Sequence, residues 1–311
     1  MTHTIASQTR ELTHWSLLIQ AQHLLDYMQR PAETRVLVVD LSPRSAYEQQ
    51  HVEGAVWLDP TRTKTHPPFN GKLPELQQLR SIAADLDLHQ NDHLVVMDAE
   101  GGAWAGRFVW LMLSMGFKNV HAIDGGRLAW EALGLPMVAG DSSSAEGADD
   151  EHVQTGESAN IRGPIFLPDE NSVAASAPTV SVDLAELKRL VEAGQAQVWD
   201  ARSAEEFSGQ RVTARNNGHI PGARHLEWTR LLDPHNHYRL RSPEALNELL
   251  LAAGLDPELP IITHCQTHHR SGLTFLAGRQ LGLDIKAYPG SWSEWGNSDD
   301  TGHLIEQTGD A

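Results

Sequence analysis

Short apolar runs alternate with amphipathic segments along most of the chain. Runs that end in a polar residue, such as Arg35–Asp40 and His93–Asp98, are typical of strands that are buried on both faces. Between such runs lie segments whose apolar residues recur at helical spacing, as at residues 273–281. This alternation predicts an α/β fold in which parallel sheets are flanked by helices.

Other segments extend the same pattern. We predict further strands at 118–123 and 197–200, and helices at 45–50, 74–86, 103–115 and 203–207. Residues 13–28 predict either one helix or two short segments with a break.

The second half of the chain repeats the order of the first. Four pairs of landmarks share nearly the same offset: 160 residues for Asp40 and Asp200, 168 for His51 and His219, 167 for Asp98 and Cys265, and 165 for Trp130 and Trp295. The repeat indicates a duplicated α/β domain of about 120 residues. The larger offset after Asp200 places an insertion at 209–218, which we predict to be a surface loop near the mouth of the site.

The two halves are separated by a stretch of different composition. Residues 139–179 are rich in Ser, Ala, Gly and acidic residues, and apolar residues are scarce apart from Ile165, Phe166 and Leu167. We interpret this stretch as a flexible acidic linker, with Phe166 as an anchor on one domain. The predicted domains are therefore residues 1–138 and 180–311, with the linker at 139–179.

Charge and cysteine content exclude several classes of function. The 311 residues carry a formal charge of −17, which argues against nucleic acid and anionic membranes as partners. A single cysteine excludes an intrachain disulfide. The chain shows neither a secretory signal nor a long apolar run, so we expect a cytoplasmic location.

That one cysteine lies where a thiol becomes reactive. Cys265 follows the predicted strand Pro260–His264 and precedes the helix at 273–281. Unpaired backbone N–H groups and the positive end of the helix dipole stabilise a thiolate at such a position, so we predict a lowered pKa and a nucleophile. The alternative is a buried structural cysteine.

Four motifs in order carry a resemblance to a known family. They are Asp200-Ala201-Arg202, Gly218-His219-Ile220-Pro221-Gly222-Ala223, the loop Cys265-Gln266-Thr267-His268-His269-Arg270, and the segment Gly290 to Trp295. Together they resemble the tandem rhodaneses, and the loop is similar to that of a bacterial subgroup that includes the Azotobacter enzyme. The resemblance implies two tandem rhodanese-like domains and transfer of a sulfane sulfur, with thiosulfate as the usual test donor and cyanide as the usual test acceptor.

The resemblance implies a mechanism in which Cys265 is the nucleophile and carries the sulfur as a persulfide. The N–H groups from Gln266 to Ser271 would then form a cradle for the anionic sulfur. In the first half, Asp98 stands at the cysteine position and cannot carry sulfur. We therefore expect the first domain to be catalytically silent, to form part of the cleft wall, and to use Asp40 and Arg44 to support the fold.

Roles for the remaining loop residues stay open. Arg270 is interpreted as a fixed cation near the donor or persulfide, the alternative being an outward-pointing residue paired to a surface acid. His268 and His269 either bind anions when protonated, shape the loop, or are simply solvated. Gln266 and Thr267 either offer hydrogen bonds to the donor or are only tolerated there.

Outside the loop, Asp200 and Arg202 are predicted to form a buried ion pair beneath it. Trp292 and Trp295 either line the pocket or, as is commoner for aromatic residues, pack in the core. Ser271 completes the predicted binding loop.

The loop leaves the donor undecided. Mammalian-type thiosulfate enzymes carry basic residues where this chain has Gln266 and Thr267, and mercaptopyruvate-specific relatives carry small residues there. We expect small-molecule donors and acceptors, and a thiol protein or small thiol as one candidate acceptor. No cofactor and no metal are expected.

Three alternatives remain. A phosphatase or arsenate reductase would need one residue more between Cys265 and Arg270. A metal site at His264, Cys265, His268 and His269 lacks the second, well-separated ligand pair of structural zinc sites. A non-enzymatic sulfur carrier or redox sensor would need the same persulfide as the enzyme.

Overall fold

Two parallel sheets, one in each half of the chain, form the frame of the fold. A computed structural model describes residues 15–29, 34–140, 163–195 and 197–307. The first sheet consists of β1 (Leu18–Ile19), β2 (Val36–Asp40), β3 (Val56–Trp57), β4 (His93–Met97) and β5 (Val120–Ile123). The second consists of β6 (Gln197–Asp200), β7 (Arg224–His225), β10 (Ile261–His264) and β11 (Ile285–Ala287). The first sheet has the order β1-β5-β4-β2-β3, and the second has the order β11-β10-β6-β7.

Helices flank both sheets, so the predicted α/β class is confirmed. In the first half they are α1 (Ala21–Met28), α2 (Arg44–Gln49), α3 (Leu76–Asp85), α4 (Ala103–Ser114) and α5 (Gly126–Ala132). After them come α6 (Glu170–Val180), α7 (Leu184–Glu192), α8 (Ala204–Phe207), α9 (Pro243–Ala252), α10 (Arg270–Gln280) and α11 (Ser291–Trp295). A two-stranded antiparallel ribbon of β8 (Leu232–Asp233) and β9 (Arg239–Leu240) and short 3-10 helices at Pro60–Thr63, Trp228–Leu231 and Pro234–Asn236 complete the described elements.

The two sheets have equivalent connections. The strands that end at Asp40 and Asp200 pair in parallel with the strands that precede Asp98 and Cys265, respectively. At one edge the first sheet adds β1, whereas the second half has only a bridge between Ser181 and Ala287. The structure therefore repeats the order of elements that the sequence offsets predict.

One further segment fits its prediction and another differs from it. In the described part of residues 13–28, the short strand β1 precedes the helix α1, which is the predicted break. The interpretation of residues 139–179 as a flexible linker is wrong for the last part of the stretch, because Glu170–Val180 forms α6, with Asp169 and Ser172 in a capping box. Residues 141–162 of the predicted linker lie outside the described residues.

Helix α6 escaped prediction because it is built mainly from small residues without an apolar stripe. Ser172 and Ser176 lie close to Gly116 just beyond the end of α4, so close backbone approach replaces side-chain burial here. Phe166 anchors the segment before α6 by an edge-to-face contact with Phe117 at 5.0 Å. The limits of the two domains stay predictions.

The two halves share one continuous core. Helices α4 and α10, each of which follows the central strand of its own half, pack against one another and are buried on most positions. A side chain at Gly106 would overlap the carbonyl of Gly272, and one at Gly272 would overlap the backbone of Arg107. Glycine therefore lets the two helix starts approach closely and brings the first half against the cysteine loop.

No helix among the described residues is long and apolar enough to cross a membrane.

Candidate active site

Cys265 lies between the end of β10 and the start of α10. The side chain is fully buried. Burial by itself raises the pKa of the Cys265 thiol, but the positive charge of Arg270 and hydrogen bonds from Ser271 and Thr267 outweigh it. The pKa therefore lies below the ordinary thiol value of 9.0. The cysteine is buried, yet its surroundings favour the thiolate rather than an inert thiol.

Arg270 pairs with Glu206 through two hydrogen bonds of 2.6 and 2.9 Å. The Glu206 side chain is only 4% exposed, so the partner is not a surface acid. Burial lowers the pKa of Arg270, but Glu206 and the Cys265 thiolate raise it further above its ordinary value. Arg270 thus faces the sulfur, with its position fixed by the pair with Glu206 of α8.

His268 is a buried neutral side chain, not a solvated one. Burial, with the charge of Arg107 added, keeps its pKa well below 6.5. Its Nδ1 lies 2.8 Å from the hydroxyl of Ser271. Because the Ser271 hydroxyl donates to the thiolate of Cys265, His268 must donate from Nδ1 to Ser271. The result is a hydrogen-bond chain that ends at the sulfur, and His268 cannot attract an anion by its charge.

Ser291 holds the loop from the opposite side. Its Oγ accepts the backbone N–H groups of His268 at 3.0 Å and Cys265 at 3.4 Å. The φ of Ser291 is 54°, a left-handed conformation that side chains rarely adopt. In the first half, Gly126 occupies the corresponding turn with a φ of 53°. The left-handed backbone at Ser291 therefore places a hydroxyl group against the loop, whereas Gly126 at the corresponding turn has no side chain.

Asp200 and Arg202 lie beneath the loop as a fully buried ion pair. Arg202 Nη2 lies 2.6 Å from Asp200 Oδ2 and 2.7 Å from the carbonyl oxygen of Gly218. Burial raises the pKa of Asp200, but His264 and Arg202 outweigh it and bring the pKa to about 2. Trp292 stacks on Arg202 at 4.4 Å, and both Trp292 and Trp295 lie in the core. These residues support the loop without reaching the thiol.

The first half holds a carboxylate where the second holds the thiol. Asp98 accepts the N–H groups of Glu100 at 3.0 Å, Gly102 at 2.8 Å and Ala105 at 2.9 Å. Its side chain is fully buried at the start of α4. The same strand-to-helix turn is an anion cradle in both halves, and in the first half the protein's own carboxylate fills it.

The supporting residues predicted in the first half have different partners. Asp40 lies 3.9 Å from Arg127, and burial raises its pKa. Arg44 forms a surface pair with Glu48 at 2.7 Å and lies over the Trp57 ring. The first half therefore has no counterpart of the tight pair between Asp200 and Arg202 in its described residues.

Arg107 of α4 reaches across to the loop of the other half. Its guanidinium is fully buried and donates to the carbonyl oxygens of Thr63 at 2.6 Å, Gly71 at 2.9 Å and His268 at 3.2 Å, with a longer contact to Thr267 at 3.4 Å. Burial lowers the pKa of Arg107 to about 9, which leaves it charged at neutral pH. A cation of the first half thus fixes the backbone of the cysteine loop.

His269 lies at the boundary between the halves. Its ring packs against Trp104 with centroids 4.0 Å apart and the ring planes tilted by 35°, and its Nε2 lies 3.3 Å from Glu100. The ammonium of Lys64 lies over the Trp104 ring, 4.6 Å from its centroid. Side chains of the first half therefore surround the outer part of the loop.

Gln266 and Thr267 contact protein rather than open space. The Gln266 amide donates to the carbonyl oxygen of Thr213 at 3.0 Å, so the inserted loop 209–218 lies against the cysteine loop. Thr267 contributes its N–H to the thiolate and its carbonyl to Arg107. The backbone N–H of His268, in contrast, donates to the hydroxyl oxygen of Ser291.

Sequence reasoning missed four residues that the structure brings to this site: Lys64, Arg107, Glu206 and Ser291. None belongs to a local motif of the cysteine loop, and three of them lie more than 50 residues from it in the chain. From the sequence, a metal site at His264, Cys265, His268 and His269 is one alternative. Among the described residues, no three His, Cys, Asp or Glu side chains are placed to hold a metal ion.

Comparison with known families finds the rhodanese-like domain twice in this chain, at residues 21–133 and 183–298. The chain is 39% identical over 280 residues to thiosulfate sulfurtransferase of Azotobacter vinelandii, a match that covers 89% of this chain and 93% of the relative. Thiosulfate sulfurtransferase of Pseudomonas aeruginosa is 37% identical with the same coverage.

Solved structures with the same fold are more distant in sequence. The crystal structure of SseA from Escherichia coli, described as a 3-mercaptopyruvate sulfotransferase, superposes with a TM-score of 0.70 at 23% identity. It covers 89% of this chain and 99% of its own. The Tum1 protein of Saccharomyces cerevisiae gives a TM-score of 0.74 at 22% identity, covering 93% and 97%. These likenesses concern the fold.

Proposed function

This chain belongs to the rhodanese family and is a sulfurtransferase, and we propose that it transfers a sulfane sulfur from a thiosulfate-like donor through a persulfide on Cys265. Small molecules serve as donor and acceptor. Because the relatives at 37–39% identity are named as enzymes, a non-enzymatic carrier is not favoured.

In the first half-reaction the Cys265 thiolate attacks the outer sulfur of thiosulfate. A bond forms between the two sulfurs while the S–S bond of thiosulfate breaks, and its electron pair leaves with sulfite. The enzyme then carries one extra sulfur as an anionic persulfide. The negative charge is conserved, so no proton, oxidant or reductant is needed.

In the second half-reaction an acceptor thiolate or cyanide attacks the outer sulfur of the persulfide. The bond between this sulfur and Cys265 breaks, and its electron pair restores the thiolate. The products are an acceptor persulfide or thiocyanate. The lowered pKa of Cys265 serves both steps, since the thiolate is nucleophile in the first and leaving group in the second.

The observation that carries this proposal is the difference between the two cradles. The turn after β4 holds the carboxylate of Asp98 on three N–H groups, whereas the turn after β10 holds the Cys265 sulfur, whose pKa donors from Thr267 and Ser271 help to lower. The turn therefore favours a negative charge in both halves. In the second half the group at this turn is a thiol, and only a thiolate can take up a sulfur atom and pass it on.

The test is mass spectrometry of the protein after it has been mixed with thiosulfate. We expect a gain of about 32 Da, the mass of one sulfur, on the peptide that contains Cys265 and its loss when cyanide is added. Cys265→Ser should remain folded and form neither the adduct nor thiocyanate. Sulfur transfer by Cys265→Ser, or a wild-type protein that turns over thiosulfate without the adduct, would contradict the proposal.

The acceptor follows from a panel of thiols. We propose that a small thiol or a thiol protein takes the sulfur from the persulfide, with glutathione, thioredoxin and cyanide as the acceptors to compare, and thiosulfate and mercaptopyruvate as donors.

We also propose a cytoplasmic location, since a single free cysteine suits a reducing compartment. Fractionation of cells that produce the protein would test this location.

A further inference from the structure

Charge is the difficulty of the first half-reaction. A thiolate and a thiosulfate dianion bring three negative charges together, so the site needs positive charge that the donor can use. Among the described residues, the cations Arg270, Arg107 and Lys64 act electrostatically on Cys265. Gln266 and Thr267 add none, because both are neutral.

Two of these cations are already engaged. The carboxylate of Glu206 holds Arg270 with two hydrogen bonds. Arg107 is fully buried, and the N–H groups of its guanidinium donate to carbonyl and hydroxyl oxygens of both halves. Neither can leave its partners without a large cost, because the groups left behind are buried. Both cations therefore position and polarise the loop instead of meeting a solute.

Lys64 differs in every one of these respects. It is half-buried and follows the short 3-10 helix Pro60–Thr63. Its ammonium lies over the Trp104 ring, and no carboxylate of the described residues lies within 4.0 Å of it. Glu100 is the nearby acid that acts on it, and Glu100 is engaged with His269. Lys64 thus presents a positive charge that no acid within the described part of the chain neutralises by contact.

The surroundings leave that charge unsatisfied and reachable. Burial, and then the charge of Arg107, lower the pKa of Lys64. An open cavity of about 870 Å³ borders it, lined also by Arg62, His66 and Glu75. Lys64 is partly exposed whereas Cys265 is fully buried, so a solute anion can contact Lys64 directly from solvent.

We propose that Lys64 binds the oxyanion end of the sulfur donor, so that a residue of the domain without a cysteine supplies the cation that the loop lacks at Gln266 and Thr267. This inference rests on the proposed function, because it assumes an anionic donor. The ligand class is a small oxyanion that carries a transferable sulfur. Trp104 and His269 connect Lys64 to the loop and fix its distance from it.

Kinetics with thiosulfate and cyanide separate the two half-reactions. Lys64→Met should lower kcat/KM for thiosulfate about tenfold, the usual effect of losing one charged contact, and leave kcat/KM for cyanide within about twofold. Lys64→Arg should retain most of the wild-type value. Lys118→Met, which removes an exposed lysine of the same domain, should behave as wild type. Equal losses for thiosulfate and cyanide, or no loss with thiosulfate, would overturn the inference.

A second measurement does not depend on sulfur transfer. Iodoacetate and iodoacetamide alkylate the same thiolate, but only iodoacetate is an anion. The ratio of their rates at Cys265 should fall about tenfold in Lys64→Met and should stay unchanged in Lys118→Met. An unchanged ratio in Lys64→Met would refute the role of Lys64. If wild-type protein yields no thiocyanate, the proposed function fails, and this ratio alone decides whether Lys64 binds an oxyanion such as the carboxylate of iodoacetate.

Discussion

The guanidinium of Arg107 donates a hydrogen bond of 3.2 Å to the carbonyl oxygen of His268, and the two residues belong to different halves of the chain. This bond ties the loop that carries Cys265 to helix α4 of the first half. His268 has a φ of 53°, so its backbone is held in a conformation that it would rarely adopt alone. The first half therefore acts on the loop's geometry although it has no thiol of its own.

Replacing Arg107 should affect both stability and the thiol. Arg107→Met leaves buried carbonyls without a donor, and we expect the free energy of unfolding to fall by about 3 kcal/mol. The pKa of Cys265, measured from the pH dependence of iodoacetamide alkylation, should rise. Arg107→Lys should restore the charge but only part of the hydrogen bonding. Arg62→Met, which breaks a surface pair with Asp85, is the matched control and should cost less than about 1 kcal/mol. An unchanged thiol pKa in folded Arg107→Met would leave Arg107 with a purely structural role.

Activity should depend on pH through the thiolate. Since the pKa of Cys265 lies below 9.0 and the thiolate is the reactive form, kcat/KM should rise with pH and reach half of its maximum below pH 9.0. Arg270→Met should move this midpoint to higher pH, because it removes a positive charge beside the sulfur. Glu206→Gln should move it to lower pH, because the charge of Arg270 is then less balanced. Shifts in the same direction for both variants would contradict the electrostatic explanation.

The ion pair beneath the loop should govern stability in acid. The pKa of Asp200 is about 2 in the folded protein and about 3.9 in an unfolded chain. A lowered pKa stabilises the folded state above the unfolded value, and this contribution disappears as the pH falls from about 5 towards 2. Urea unfolding at several pH values measures it.

Asp200→Asn should remove that acid-dependent contribution and lower the free energy of unfolding by about 3–5 kcal/mol at neutral pH, because Arg202 stays buried without its carboxylate. Asp40→Asn is the matched substitution at the equivalent strand end, where burial raises the pKa and Arg127 lies 3.9 Å away. It should cost less than half as much. Equal losses in the free energy of unfolding would show that the tight pair of Asp200 and Arg202 stabilises the fold no more than the looser contact of Asp40 with Arg127.

Ser291 separates backbone strain from hydrogen bonding. Ser291→Ala removes the hydroxyl and keeps the strained φ, whereas Ser291→Gly removes both. We expect the two variants to lose activity by a similar factor of about ten, since misplacement of a reactive group by a fraction of an ångström has effects of this size. Ser291→Gly should be more stable than Ser291→Ala by about 1 kcal/mol. Full activity in Ser291→Gly would mean that the hydroxyl does not position the loop.

Asp98 should matter for stability and little for chemistry. Three N–H groups, two of them buried, would lose their acceptor in Asp98→Ala. We therefore expect a loss of about 3 kcal/mol in the free energy of unfolding. At temperatures where the variant is folded, thiocyanate formation should stay within about twofold of wild type. A folded but inactive variant would show that the first half takes part in the reaction.

The sequence alone determined the α/β class, the duplication and the place of the one cysteine. These follow from local patterns: apolar runs define buried strands, the offsets between landmarks reveal the repeat, and a strand followed directly by a helix defines the turn that holds Cys265. The same local signal failed for Glu170–Val180, because a helix of small residues has no apolar stripe to detect.

The groups that act on the sulfur follow from the tertiary contacts within and between the two halves. Arg107 and His268 are 161 residues apart in the chain, and Glu206 and Arg270 are 64 apart, so no periodicity relates them. Burial made His268 neutral and let Arg270 keep a carboxylate partner, and both outcomes depend on what covers the loop. A sequence specifies which residue types are present in a loop, but charge, desolvation and hydrogen bonding at a thiol depend on distances that only the packed halves define.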